Sequence, residues 1–77
     1  MEHSIDLHGL THDEALIKTE DAVLAASLTP GFTFEIITGK SPSLQEKITQ
    51  MLDSHQFEHY IPDNNIGTIV VIEDVMF

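Results

Sequence analysis

The sequence predicts an α/β chain folded as a two-layer sandwich, β-α-β-α-β-β, with two helices on one face of a four-stranded mixed sheet. Three observations carry that expectation. Polar and apolar residues alternate from Ser4 to His8, the period of a half-buried strand. Apolar residues recur at helical spacing over His12 to Leu28 and again from Leu44 to about His55. Ile66 to Ile72 is nearly unbroken apolar sequence, the pattern of an interior strand. At 77 residues the chain reads as one domain, 1–77, with no internal repeat and no linker. A chain this short buries roughly 60% of the surface its unfolded form exposes, so its stability margin is small.

Strand one, Ser4 to His8, puts Ser4, Asp6 and His8 on one face and Ile5 and Leu7 on the other. Gly9 breaks it. Thr11 then stands as N-cap with Glu14 at N3, a capping box that opens the first helix at about His12. Ala15, Leu16, Ala22, Val23 and Ala26 form its core stripe, with Asp13, Lys18 and Asp21 outside. Thr29-Pro30-Gly31 stops it after Leu28. Phe32 to Thr38 is the second strand, with Phe34, Ile36 and Ile37 and the single charge Glu35.

Thr38-Gly39-Lys40-Ser41-Pro42-Ser43 is the second strand-to-helix turn. Either Ser41 with Pro42 at N1, or Ser43 with Glu46 at N3, caps the next helix. Leu44, Ile48, Met51 and Leu52 keep its apolar face. Phe57 to Ile61 is a short third strand, ended by the turn cluster Pro62-Asp63-Asn64-Asn65. After the last strand, Glu73 to Phe77 is a tail whose acids fray into solvent, with Val75 or Phe77 able to pack. Right-handed crossovers make strands one and two parallel neighbours and bring both helices to one face. The more apolar fourth strand then lies between the second and third, for the order 1-2-4-3.

Charge narrows the function. Thirteen acids face Lys18, Lys40 and Lys47, with no arginine, for a formal charge of −10. One added charge on each of the five histidines moves this only to −5. Tight nucleic-acid binders neutralise many phosphates with Lys and Arg, which three lysines cannot do. Any nucleic-acid role is therefore local, weak, or recruited by another protein. The absence of cysteine excludes disulfides and thiolate metal sites. No signal peptide and no apolar run of about 18 residues is seen, so a soluble, cytoplasmic protein with no membrane partner is expected.

The topology brings His8-Gly9 and Thr38-Gly39-Lys40 side by side at the carboxyl edge of strands one and two, where open α/β sheets place their chemistry. Both helices start there, with unpaired amides and the positive end of the dipole facing outwards. The spot suits a phosphate, and Gly9, Thr38, Gly39, Lys40 and Ser41 are its candidate ligands. Thr38 and Ser41 read as capping residues rather than as catalysts. Asp6 and His8 are the candidate catalytic pair, although Asp6 accepting from loop amides and His8 bonding backbone would merely stabilise the turn. A P-loop is excluded, because it needs glycine five positions before Gly39-Lys40 and that position is Phe34. Asp6, His8, His12 and Asp13 can converge on a divalent metal ion such as magnesium, manganese or zinc, without any metal-ligand spacing signature. His55, in a helix's last turn, and His59, on the sheet surface, stand outside the site.

Ile5-Asp6-Leu7-His8-Gly9-Leu10-Thr11, followed by Glu14-Ala15, resembles the Leu-Asp-Leu-His-Gly opening of the small MutS-related (Smr) domain. Length, element order and a glycine turn after strand two are also similar, so the resemblance covers essentially the whole chain. The family's second motif, His-Gly-x-Gly, reads here Thr38-Gly39-Lys40-Ser41: one glycine and the lysine remain, the histidine and second glycine do not. The resemblance implies a fold shared with the C-terminal domain of a bacterial translation initiation factor, and association with DNA or RNA. It also implies two functional outcomes. One is a nicking or RNA endonuclease in which Lys40 and helix amides hold the phosphate, His8 transfers a proton, and Asp6 orients it or a metal. The other is a non-catalytic binding or adaptor module that keeps the fold without the second motif. Loss of the motif histidine removes a general acid or phosphate donor, and Ser41 adds a side chain where backbone needs close approach.

The charge yields a direct expectation. Affinity for DNA or RNA should be low and depend weakly on salt. A titration series in which log affinity falls against log salt with a slope of about −5 or steeper would contradict the count of three lysines.

Overall fold

A computed structural model describes residues 3–73. Its elements are β1 (Ser4–Asp6), α1 (His12–Ala26), β2 (Thr33–Ile37), α2 (Pro42–Ser54), β3 (Glu58–Tyr60) and β4 (Thr68–Ile72). The sheet is four-stranded with the order β1-β2-β4-β3. β1 runs parallel to β2, and β4 pairs antiparallel with both β2 and β3. The expected α/β sandwich and strand order are what the structure has.

Alternation in the strands creates the layers. Phe34 lies opposite Val71 and Ile36 opposite Ile69, and all four are buried on the helical side. They join Ala15, Val23 and Ala26 of α1 and Leu44, Ile48 and Leu52 of α2 in one core. Both helices therefore cover the same sheet face. The other face carries Thr33, Glu35, Ile37 and Tyr60 exposed, while Val70 and Thr68 between them are buried. That face is uncovered by helices yet not wholly polar.

Several ends differ from the sequence reading, each for a local reason. β1 stops at Asp6 instead of His8, because the Asp6 carboxylate accepts the His8 N–H at 2.9 Å and bends the chain into a turn. α1 ends at Ala26, two residues before Leu28, where the Ser27 N–H reaches back to the carbonyls of Val23 and Ala25. α2 starts from Ser41, with Pro42 in the first turn, so the Ser43 alternative is not used. β4 begins at Thr68, because Ile66 and Gly67 belong to the preceding turn. Glu73, expected to fray, is tied down: its N–H donates to the Phe32 carbonyl at 3.0 Å and its carboxylate accepts the Gly31 N–H. The expectations for Asp74, Val75 and Phe77 lie outside the described residues.

Thr19 is missing from the predicted stripe of α1, yet it is fully buried. Its hydroxyl oxygen has no hydrogen-bond partner among the described residues. A buried hydroxyl without a partner costs about 1–3 kcal/mol, whereas an apolar group of the same shape does not. Thr19→Val is therefore expected to stabilise the fold by about 1 kcal/mol. For a chain of this size that raises Tm by about 4–8 °C. An unchanged or lower Tm in a thermal melt would show that the hydroxyl is satisfied.

Candidate functional site

The register fixes how the two turns meet. Asp6 pairs with Ile37, and the Leu7 N–H continues the ladder by donating to the Ile37 carbonyl at 3.0 Å. β1 and β2 thus finish level. Their ends enclose a cleft of about 220 Å³ lined by Asp6, His8, Ile37, Thr38 and Gly39. Four of the seven sequence-predicted site residues are in that group. Gly9, Lys40 and Ser41 are not.

Each of those three has a place of its own. Gly9 turns the chain after β1 with φ of 80°, a conformation that side chains disfavour. Ser41 caps α2, its hydroxyl accepting the Leu44 N–H at 3.4 Å. Lys40 lines an adjoining hollow of about 570 Å³ between the end of β2 and the loop through Asn64, Asn65 and Ile66. The two cavities share Ile37 and Gly39, so Lys40 stands beside the cleft rather than in it.

Several amides at this edge are used within the protein. Thr38 and Gly39 both donate their N–H groups to the Gly67 carbonyl, at 2.9 and 3.0 Å, and the Ser41 N–H goes to the Gly39 carbonyl. At the start of α1 the Thr11 hydroxyl accepts the Glu14 N–H at 3.1 Å, and the Glu14 carboxylate accepts the Thr11 N–H at 3.0 Å. That backbone bond from Thr11, aided by the Thr11 hydroxyl and Lys18 against slight desolvation, holds the Glu14 carboxyl below its ordinary range. The dipole of α1 is thus already met by a carboxylate of its own.

Two residues that the sequence reading did not single out build this edge. Gln45, in the first turn of α2, directs its amide nitrogen to the Ile66 carbonyl at 2.7 Å and to the Thr38 hydroxyl at 3.0 Å. It binds the β2 turn to the turn before β4. Gly67 packs backbone to backbone, and a Cβ there would come within 3.3 Å of Gly39 Cα and carbonyl carbon. The available signal for Gly67 was a glycine inside the apolar run Ile66 to Ile72, a place where another backbone can approach closely. Gln45 had no signal beyond being polar in a first helical turn.

The side chains do not gather a metal site. Among the described residues no group of three or more His, Asp or Glu is placed to hold an ion, so Asp6, His8, His12 and Asp13, which the sequence left able to converge, do not form such a group. His12 instead places Nδ1 3.2 Å from Lys47 Nζ. His55 pairs with Glu20 at 2.7 Å and His59 with Asp53 at 2.8 Å. His59 shares the register position of core-facing Val71, so it lies on the helical side of the sheet and not on the open surface. The His8 ring has no hydrogen-bond or ion-pair partner among the described residues.

The family model of the Smr domain matches residues 5–65. The chain belongs to the Smr domain family. No curated protein and no solved structure matches it. The matched region of this Smr domain holds Asp6, His8 and the Thr38-to-Ser41 turn, and stops before Gly67, which completes the turn's hydrogen bonding. Among the described residues no helix is long and apolar enough to cross a membrane.

Gly67→Ala should lower stability by about 1–3 kcal/mol, because the new methyl meets backbone that can yield only by shifting the Gly39 turn. Gln45→Ala should also destabilise, and amide exchange at Thr38 and Gly39 should accelerate in both variants. Wild-type exchange at those two amides in either variant would separate the turn from Gln45 and Gly67.

Proposed function

We propose that this Smr domain processes nucleic acid, cutting a phosphodiester bond laid across the cleft between the β1 and β2 turns. The observation that carries the reading is that Asp6 and His8 share one cleft with Thr38 and Gly39. The His8 ring, free of protein partners among the described residues, is available to a substrate. Asp6 spends Oδ1 on the His8 N–H, which fixes the turn, and keeps Oδ2 for solvent or substrate.

In the proposed hydrolysis a water oxygen bonds to phosphorus as the bond from phosphorus to the leaving sugar oxygen breaks. Asp6 takes a proton from the water, and His8 as imidazolium delivers one to the leaving oxygen. Lys40, from the adjoining hollow, offsets charge on a neighbouring phosphate as a point charge. Since the ligating side chains do not group, no step is assigned to a bound metal.

A second reading has observations of its own. Thr38 and Ser41 replace the residues of the resembled motif, and the Thr38 and Gly39 amides are occupied by the Gly67 carbonyl. With a charge of −10 these favour an adaptor module that binds weakly and does not cut.

Single-turnover cleavage of DNA and RNA by wild type, Asp6→Asn and His8→Ala, with melts in parallel, separates the readings. For a nuclease, each substitution should slow cleavage by about 100-fold or more. His8→Ala should leave Tm near wild type, and Asp6→Asn should lower it slightly through the lost charge-assisted bond. Lys40→Ala should weaken binding more than the chemical step. Binding without cleavage in the wild type identifies the adaptor. Equal rates in all three proteins would exclude both residues from the mechanism.

A further inference from the structure

α1 has two apolar faces, and the core uses one. Ala15, Thr19, Val23 and Ala26 are buried against the sheet and α2. At about 100° per residue, Ile17, Leu24 and Leu28 fall within about 20° of one line on the opposite side of the helix. Their exposures are 62%, 40% and 85%. Leu28 lies just past the C-cap Ser27, but its N–H still donates to the Ala25 carbonyl at 3.3 Å, so the chain holds a near-helical course to that point. Single exposed apolar residues are ordinary; an aligned row along a helix is not.

Carboxylates flank the row on both sides. Asp13, Glu14, Glu20 and Asp21 all fall within about 60° of the same line. Glu14 is held in the capping box and Glu20 by His55. Asp13 and Asp21 have no hydrogen-bond or ion-pair partner among the described residues.

We propose that this face of α1 docks a basic amphipathic helix of another protein, its apolar residues along Ile17, Leu24 and Leu28 and its Lys or Arg residues toward Asp13 and Asp21. Charge selects the occupant. A second copy would bring the same carboxylates together at a net −10 each, and a nucleic acid or an anionic lipid surface would press phosphates against them. A cationic helix meets both the apolar centre and the acidic margins. Docking there brings positive charge to a helix that starts three residues after Gly9, in a chain with three lysines of which Lys47 is engaged by His12. That benefit rests on the proposed nucleic-acid role; the docking itself does not.

The test is a titration of the isotopically labelled full chain, followed by amide chemical shifts, with synthetic peptides of equal length. One is a basic amphipathic helix with leucines at i, i+4, i+7 and i+11. The second keeps the leucines and exchanges the basic flanks for Glu. The third has the basic composition scrambled. The first should bind at least about tenfold more tightly than either other, with shifts centred on Ile17, Asp21, Leu24 and Leu28. Leu24→Ser with Leu28→Ser should abolish binding, and Asp21→Lys should weaken it, without altering any cleavage activity. The proposal is overturned if the scrambled peptide binds equally well, if the shifts map elsewhere, or if no peptide binds at millimolar concentration. It is also overturned if sedimentation finds a dimer of the free chain that the two serine substitutions separate. The peptide comparison in wild type stands even if a variant misfolds, and no outcome depends on whether the cleft cuts nucleic acid.

Discussion

Gly39 and Gly67 touch backbone to backbone, and the carboxyl edge of the sheet is arranged by that contact. Because Gly67 has no side chain, its carbonyl comes close enough to receive the N–H groups of both Thr38 and Gly39. Gln45 adds a clasp from α2 to the same two turns. The turn after β2 is thereby held in place beside β1, whose register with β2 sets the two ends level, and the Asp6-His8 turn acquires its opposite wall. A site made from two separate crossovers becomes one cleft through a hydrogen-bonded junction supplied by a third turn.

The same junction limits the chemistry. The Thr38 and Gly39 amides, pointed at the Gly67 carbonyl, are poor anion ligands until that carbonyl moves. α1 is neutralised further by Glu14. On the proposed reading, what the cleft offers a substrate is side-chain chemistry from Asp6 and His8, with one lysine nearby.

Much of the fold was legible because its signals were local and mutually consistent. Strand alternation at Ile5 and Leu7, the Thr11-Glu14 box and the unbroken run to Ile72 each fix one element, and crossover handedness then fixes the order. The strand ends were less legible: Asp6 draws in the His8 amide and Gly67 stays in a turn, both decided by contacts that a period of two cannot show. In the candidate site, Asp6, His8, Thr38 and Gly39 could be brought together from topology alone. Lys40 could not be placed, because its backbone position fixes only where a long side chain begins. Gln45 and Gly67 were hidden because their importance lies in meeting residues 6 to 29 positions away. Thr19 escaped because a hydroxyl breaks an apolar pattern even where the residue is fully enclosed.

The two edges of the sheet are its shortest strands: β1 and β3 have three residues each, against five for the interior β2 and β4. Unpaired edges are where one sheet recruits the strand of another molecule, and brevity is one of the ways proteins blunt them. Here a neighbouring chain would find few backbone groups to match. It would also find Glu58 on the β3 rim and a like charge of −10 on approach. An open-faced sheet with exposed Ile37 and Tyr60 can therefore remain unextended at high concentration, its strands disfavouring fibres while its helical side stays free to meet partners.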